Sequence, residues 1–160
     1  MSVIINGVKL KNATYNGEKV KKVIYNGTVV YTAEQIIFPP RTTAWTRSGA
    51  STESNANDER IYTYCNGSSQ TNSQMCTTID LTNVDTITFT ASSGYGGNGF
   101  NAVTIDTIVY SSLGSARGIS RPNGTYTIDV SDLTGTHKLY CCVWGSTGNS
   151  RVTLTSLILS

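Results

Sequence analysis

Side chains that commonly carry out catalysis are scarce in this chain, and histidine is the clearest case. His137 is the only histidine among 160 residues, so one chain cannot supply the several imidazoles of a multi-histidine metal site. A Ser–His–Asp or Cys–His arrangement would have to use it, and no nucleophile elbow or activated thiol lies near it in sequence. A lone histidine at the start of a strand is usually a surface residue. The sequence therefore favours a protein that is not an enzyme.

Paired carboxylates are the next arrangement to test, because glycosidases use two of them. Asp80, Asp106 and Asp129 each follow an isoleucine at a strand position, and Asp132 precedes Leu133 in a turn. Aspartates in such places usually bond backbone N–H groups of turns. We therefore expect no catalytic pair and no cofactor. A calcium (Ca2+) site made of aspartates and loop carbonyls is the alternative, although the sequence has no Asp-x-Asp-x-Asp loop. The other carboxylates considered are Asp58, Glu59 and Asp85.

The four cysteines form no metal or redox motif. They are Cys65, Cys76, Cys141 and Cys142, and their spacing matches no zinc or Cys-x-x-Cys pattern. Cys141 and Cys142 are adjacent, so in a strand they point to opposite faces. We expect reduced, buried thiols, with a Cys65–Cys76 disulfide across the intervening polar segment as the alternative. The glycine-rich run 94–99 precedes no helical pattern, so it does not predict a phosphate-binding loop.

Aromatic side chains with polar neighbours offer a binding surface instead. Tyr62 and Tyr64 are two residues apart in a predicted strand, so they share one face with Arg60. These three residues are suited to a stacking surface with a hydrogen-bonding end, as in sugar-binding sandwiches. In the alternative interpretation, the two tyrosines pack against the neighbouring sheet. The other candidate ligand-binding residues lie in the glycine-rich 92–101 loop or at a strand end: Tyr95, Asn98 and Trp144.

The elements that must position these residues begin with a repeat. Asn-Gly occurs at 6–7, 16–17 and 26–27, a strict ten-residue spacing. Asn-Gly between alternating residues is the strongest short hairpin signal, because both central positions of a type I′ turn need positive φ. Residues 1–33 therefore predict a meander of hairpins that is too small to be stable alone. We expect this unit to serve attachment or oligomerisation. Its predicted strands are 3–5, 8–15, 20–25 and 29–31.

Residues 36–160 are predicted to form an antiparallel β-sandwich of jelly-roll type, which makes the chain all-β. Only 14% of the residues are charged, and no stretch has apolar residues at helical spacing. Ile87, Phe89 and Ala91 alternate with threonines, so this strand has the one apolar face that two stacked sheets require. A polar loop is expected at 52–59, with a single helical turn as the alternative. The predicted strands are 36–38, 60–65, 76–82, 85–91, 102–110, 125–130, 137–144 and 151–159.

Charge and hydropathy argue against two kinds of partner. The net charge is +2, and residues 1–33 hold five lysines against one glutamate. Lysines on a small exposed hairpin usually protect its edge, so nucleic-acid binding is not expected. The start of the chain lacks the features of a signal peptide, and no stretch approaches transmembrane length. We therefore expect synthesis in the cytoplasm and no membrane insertion.

Three segments resemble a known group of proteins. ATYNGEKVKKVIYNGTVVY at 13–31 resembles the N-terminal segment of many bacteriophage and prophage virion proteins, in which a YNG-x-x-V-x-x-V-x-YNG-x-x-V pattern precedes a variable β-domain. IDLTNVDTITF at 79–89 and TIDVSDLTGTHKLY at 127–140 resemble their sandwich domains. The resemblance implies a structural role in the virion, in the tail, baseplate or capsid surface. It also implies a homo-oligomer, with a trimer favoured, and other virion proteins as partners. No ligand residue carries over from it.

Two functional hypotheses of different classes follow. The first is a phage virion structural protein whose sandwich mediates assembly, binding of a host-surface glycan, or both. The second is a stand-alone carbohydrate-binding module or lectin without catalytic activity, which leaves the Asn-Gly repeat unexplained. An enzyme would instead need His137 or a carboxylate pair to lie in a pocket.

Overall fold

The computed structural model describes residues 3–5, 8–10, 14–15, 18–19, 22–25, 28–32, 34–51, 53–67 and 72–160. Within these ranges every regular element is a β-strand, and the two large sheets are antiparallel. The prediction of an all-β chain with hairpins followed by an antiparallel sandwich is therefore confirmed. Nor do the described residues include a helix of the length and apolarity needed to cross a bilayer.

Three short hairpins precede the sandwich. They pair β1 (Val3–Ile5) with β2 (Val8–Leu10), β3 (Thr14–Tyr15) with β4 (Glu18–Lys19), and β5 (Lys22–Tyr25) with β6 (Thr28–Thr32). Ile5 pairs with Val8 and Tyr15 with Glu18, so two residues join the strands, as an Asn-Gly turn requires. The Asn-Gly residues themselves lie outside the described ranges. The predicted strand 8–15 is wrong, because β2 and β3 belong to different two-stranded sheets.

Two sheets form the sandwich. Sheet I contains β7 (Gln35–Phe38), β9 (Asn55–Ala56), β10 (Ile61–Cys65), β12 (Thr86–Tyr95), β15 (Gly124–Asp129) and β17 (Ser150–Leu159). Sheet II contains β8 (Trp45–Gly49), β11 (Asn72–Asp80), β13 (Phe100–Ile105), β14 (Gly118–Ser120) and β16 (Thr136–Trp144). The order in sheet I is β15–β12–β17–β10–β9, with β7 also paired to β17, and in sheet II it is β14–β13–β16–β11–β8.

Alternation of apolar and polar residues turns one face of each sheet toward a shared core. In β12, Ile87, Phe89 and Ala91 are buried, as predicted from their spacing. The threonines between them face outward, where the Thr88 hydroxyl lies 3.1 Å from that of Thr127 on β15. The inner face therefore stabilises the sandwich by apolar burial, while the outer face of sheet I carries short hydroxyl side chains.

A β-bulge keeps the last strand in phase with the core. Thr90 pairs with Ser156 and Ala91 with Leu154, so Thr155 is the extra residue of β17. Strict alternation would put Leu154 and Leu157 on opposite faces of the sheet. Because the bulge inserts one residue between them, both side chains are fully buried.

Two edge strands precede residue 60, and one of them, β9, lies in the segment 52–59 that was predicted to be a polar loop. β8 pairs with β11, and β9 pairs with β10. Their residues are mostly polar and exposed, because an edge strand is paired on one side only. Neither a continuous apolar run nor clear alternation marks such a strand in the sequence. The alternative of a helical turn at 52–59 is wrong for the described residues in that range.

The predicted strand 102–110 is wrong beyond Ile105. Asp106 has a φ of +57°, a left-handed conformation that ends the extended strand. The chain then crosses the outer face of sheet II. There Val109 joins a second, smaller apolar cluster that includes Cys142. The outer surfaces of the two sheets therefore differ, since sheet II is partly covered by this segment.

Candidate functional site

His137 is held in an ion pair rather than left at the surface. Its Nδ1 lies 2.5 Å from Oδ2 of Asp106, and its Nε2 lies 3.1 Å from the carbonyl oxygen of Thr134. The hydrogen bond to Asp106 raises the pKa of His137 above its ordinary value, against the opposing effect of desolvation. Asp106 Oδ1 also accepts the backbone N–H of Lys138 at 2.8 Å. The ring therefore joins the start of β16 to the end of β13, with an acceptor at each nitrogen.

The other strand-end aspartates bond to turns, as their positions suggest. Asp80 Oδ1 accepts the backbone N–H of Thr82 at 2.9 Å. Asp129 Oδ1 accepts the backbone N–H of Ser131 at 3.0 Å and its hydroxyl at 2.7 Å. These carboxylates thus stabilise the turns that follow β11 and β15. Over the ranges that the structure describes, no three His, Cys, Asp or Glu side chains are grouped so that they could hold a metal ion.

The four cysteines are free thiols. Cys65 and Cys141 belong to the main core, whereas Cys142 lies in the small cluster on the outer face of sheet II. Burial raises the pKa of each of these thiols, which keeps them protonated. Cys76 pairs with Tyr140 on β16 and is partly exposed on the outer face of sheet II. The alternative of a Cys65–Cys76 disulfide is therefore wrong, because sheet II separates the two side chains.

Arg60, Tyr62 and Tyr64 line up on the outer face of sheet I. In β10 the inward positions belong to Ile61 and Cys65, which are fully buried, so the tyrosines do not pack between the sheets. The two tyrosine rings are near-parallel, at 13°, with their centroids 6.0 Å apart. The Arg60 guanidinium carbon lies 5.3 Å from the centroid of Tyr62, within cation–π distance. The structure thus brings together the three residues that the sequence placed on one face.

Arg151 is a fourth member of this surface that the sequence reasoning missed. It pairs with Tyr64 across β10 and β17, which puts both side chains on the same face. Its side chain extends over Gly94 of β12, where a Cβ atom would lie 2.9 Å from Arg151 Nε. The missing side chain at Gly94 therefore makes room for the guanidinium. We call Arg60, Tyr62, Tyr64 and Arg151 the tyrosine–arginine surface.

Electrostatic coupling connects the members of this surface. Burial raises the pKa of Tyr62 above its ordinary value, and the positive charges of Arg151 and Arg60 oppose that rise. The negative charge of Glu53 and the neighbouring Tyr64 act in the same direction as burial. The Tyr62 hydroxyl is therefore protonated at neutral pH and can donate a hydrogen bond.

The remaining predicted candidates lie on other surfaces. Tyr95, at the end of β12, is 49% exposed, and the guanidinium of Arg121 lies 4.3 Å from its ring centroid. Asn98 is exposed in the turn between β12 and β13. Trp144 packs against the small apolar cluster on the outer face of sheet II. Of the six predicted residues, Arg60, Tyr62 and Tyr64 are the ones that share a surface.

The chain has weak similarity to several solved structures. No family model matches the chain, and no curated protein matches it. Among solved structures, the K2 cleaved adhesin domain of Lys-gingipain is 13% identical with a TM-score of 0.47, covering 80% of this chain and 99% of that one. TmCBM61 in complex with beta-1,4-galactotriose is 13% identical with a TM-score of 0.48, covering 72% and 87%. A family two carbohydrate esterase from Cellvibrio japonicus is 18% identical with a TM-score of 0.38, covering 74% of this chain and 34% of that one. All three likenesses are weak, with TM-scores below 0.5.

Proposed function

We propose that this chain is a bacteriophage virion structural protein, in the tail, baseplate or capsid surface, whose sandwich binds a host-surface glycan without catalysis. One observation carries the glycan-binding role. The near-parallel pair of Tyr62 and Tyr64 lies partly exposed on an outer sheet face, with Arg60 against Tyr62 and Arg151 opposite Tyr64. Elsewhere this outer face carries threonines, such as Thr88.

The chemistry of this surface suits a saccharide. Tyrosine rings offer apolar faces to the C–H groups of a sugar ring, while their hydroxyls can donate and accept hydrogen bonds. Guanidinium groups add donors in a fixed plane. Tyr62 and Tyr64 belong to β10, which pairs with β17 on one side and β9 on the other. A site on a paired strand is held in place before the ligand arrives, which lowers the entropic cost of binding.

The virion role has separate support. The YNG pattern at 13–31 resembles the N-terminal segment of phage virion proteins, and three hairpins with two-residue loops lie within residues 3–32. Hairpins of this length are marginal in water by themselves. Packing on other copies or on other virion proteins would bury them, which fits an attachment and homo-oligomerisation segment.

The glycan-binding role predicts a loss of affinity when the two rings are removed. On a glycan array the full chain should bind at least one oligosaccharide. Tyr62→Ala/Tyr64→Ala should weaken that binding by at least about tenfold in calorimetry, since truncating a central aromatic contact commonly costs more than about 1.4 kcal/mol. Tyr95→Ala is the matched control, because it removes an exposed tyrosine from another surface and should change little.

Two outcomes would count against this assignment. Full affinity in the double tyrosine variant would place the glycan elsewhere, and a loss confined to Tyr95→Ala would move the site to the end of β12. An array on which the folded full chain binds no saccharide would reject the glycan-binding role itself.

A stand-alone carbohydrate-binding module or lectin is the second candidate. It is favoured by the core of the sandwich, since the main apolar cluster among the residues whose burial is described runs from Ile37 to Leu159. The two candidates differ in assembly. If the chain is a virion component, light scattering should give an oligomer, such as a trimer, for the full chain and a monomer for residues 34–160. A monomeric full chain would favour the stand-alone module, and an oligomeric truncation would show that the hairpins are not the assembly element.

A further inference from the structure

The two arginines of the tyrosine–arginine surface differ from Arg117 in their contacts. Arg117 holds Asp132 in a bidentate ion pair with N–O distances of 2.5 and 2.7 Å. Neither the Arg60 guanidinium nor the Arg151 guanidinium forms a hydrogen bond or an ion pair with a side chain that the structure describes. Arg60 instead lies against the ring of Tyr62, and Arg151 extends along the sheet. The N–H donors of both guanidinium groups are thus open to a ligand.

The Arg60 guanidinium lies against Tyr62, whereas that of Arg151 extends over Gly94 of β12, on the far side of β17 from the tyrosines. Arg60 comes two residues before Tyr62 in the chain, whereas Arg151 is the cross-strand partner of Tyr64. Because β17 lies between β10 and β12, a ligand that lies on both rings and extends across β17 would meet both cations. Glu53 is the acidic side chain whose charge acts on Tyr62. Around Tyr62, two positive charges therefore act against one carboxylate.

Guanidinium groups in this situation recognise one kind of ligand group. The planar fork of N–H donors matches a carboxylate or a phosphate with two parallel hydrogen bonds, which are stronger than bonds between neutral groups. A neutral sugar would use the rings but would leave the charge of both arginines unmatched. We infer that the tyrosine–arginine surface selects anionic saccharides, which carry a carboxylate or a phosphate group. This inference rests on the proposed glycan binding.

Gly94 has a defined part in this selection. A Cβ atom there would lie 2.9 Å from Nε and 3.5 Å from Cζ of Arg151, so Gly94→Ala must move the guanidinium. The displaced group is the end of a flexible side chain, and the strand backbone need not shift. Gly94 has no positive φ, so alanine adds no backbone strain. The variant should therefore lower affinity for an anionic saccharide while the melting temperature stays close to that of the parent chain.

The test uses saccharides that differ only in charge. Calorimetry on the full chain would compare tetragalacturonate with its methyl ester, and a mannose pentasaccharide 6-phosphate with its dephosphorylated form. At least one anionic member should bind about tenfold or more tightly than its neutral counterpart, as expected for hydrogen bonds between charged groups. Its affinity should fall as salt is added. The carboxylate and phosphate arms tell the two sources of charge apart.

Arginine variants assign the preference to this surface. Arg60→Gln/Arg151→Gln removes both charges but keeps polar side chains, and it should abolish the difference between the charged and neutral members. Arg121→Gln is the matched control, since Arg121 lies against Tyr95 on another surface, and it should keep the difference. The inference would be overturned by equal affinity for the charged and neutral members or by no binding of either anionic saccharide. It would also be overturned if the double arginine variant kept the preference for the charged member. If Tyr62→Ala/Tyr64→Ala weakens the binding of a neutral glycan from the array, the proposed glycan-binding function stands even when the inference about anionic saccharides fails.

Discussion

Phe89→Ala should lower the free energy of unfolding by about 3–5 kcal/mol, the range for truncating a buried phenylalanine. Phe89 is fully buried in β12, which lies between β15 and β17 in sheet I. Its ring lies 5.8 Å from that of Tyr126, and it pairs with Leu157. The loss combines the transfer free energy of the ring with the cost of a cavity between paired strands that cannot close around it. Urea denaturation followed by circular dichroism measures this change.

Thr88→Ala is the matched control for Phe89→Ala, because it alters the neighbouring residue on the opposite face. Thr88 faces outward and loses only the hydroxyl pair with Thr127, so we expect a change of about 1 kcal/mol or less. If Thr88→Ala were the more damaging substitution, the inner and outer faces of β12 would be reversed. The sandwich described above would then be wrong.

Gly148→Ala should destabilise the protein by about 1–3 kcal/mol, because a methyl group has no room at this position. A Cβ atom on Gly148 would lie 2.7 Å from the carbonyl carbon and oxygen of Gly96. Gly145 and Gly67 crowd the same point, since a Cβ atom on either would lie 2.5 Å or less from the carbonyl oxygen of Gly148. Three loops therefore meet with backbone against backbone, and none can move without displacing another.

Gly96→Ala is the matched control, since it adds the same methyl group to the other side of this contact. Its Cβ atom would have its nearest neighbours at 3.7 Å, an ordinary contact distance. Neither Gly96 nor Gly148 has a positive φ, so the two variants differ in crowding and not in backbone strain. The melting temperature of Gly148→Ala should fall by about 2–4 °C per kcal/mol, while Gly96→Ala stays near the parent value. Equal melting temperatures would show that these loops pack more loosely.

The contact between these loops lies next to the strand ends that carry Tyr64 and Arg151 of the tyrosine–arginine surface. Gly148 lies in the turn that leads into β17, two residues before Ser150, and Gly67 follows the end of β10. Tyr64 and Arg151 pair at that same end of the two strands. Close packing of the glycines thus holds the strand ends that carry one half of the proposed ligand surface, while Arg60 and Tyr62 depend on the middle and start of β10.

Local physics explains the features that were predicted correctly. Side chains of a strand alternate between two faces, so the spacing of Tyr62 and Tyr64 was sufficient to put them on one face. The same rule predicted that Ile87 and Phe89 are buried while Thr88 is not. The two-residue loops of the hairpins follow from the conformational preference of Asn-Gly. Each of these conclusions needs only residues that are neighbours in the chain.

The features that the sequence did not predict depend on register and pairing between distant segments. The composition and alternation of the chain determined by themselves that it is all-β, that it hides one face of each strand, and that Arg60, Tyr62 and Tyr64 share one face. The tertiary structure showed that this face points outward and not toward the other sheet. Only the tertiary structure paired Arg151 with Tyr64, placed the bulge at Thr155, and set Tyr95 and Trp144 on other surfaces. The physical reason is that cross-strand neighbours are selected by the packing of whole sheets, to which every strand contributes, and no local pattern in one strand specifies its partner.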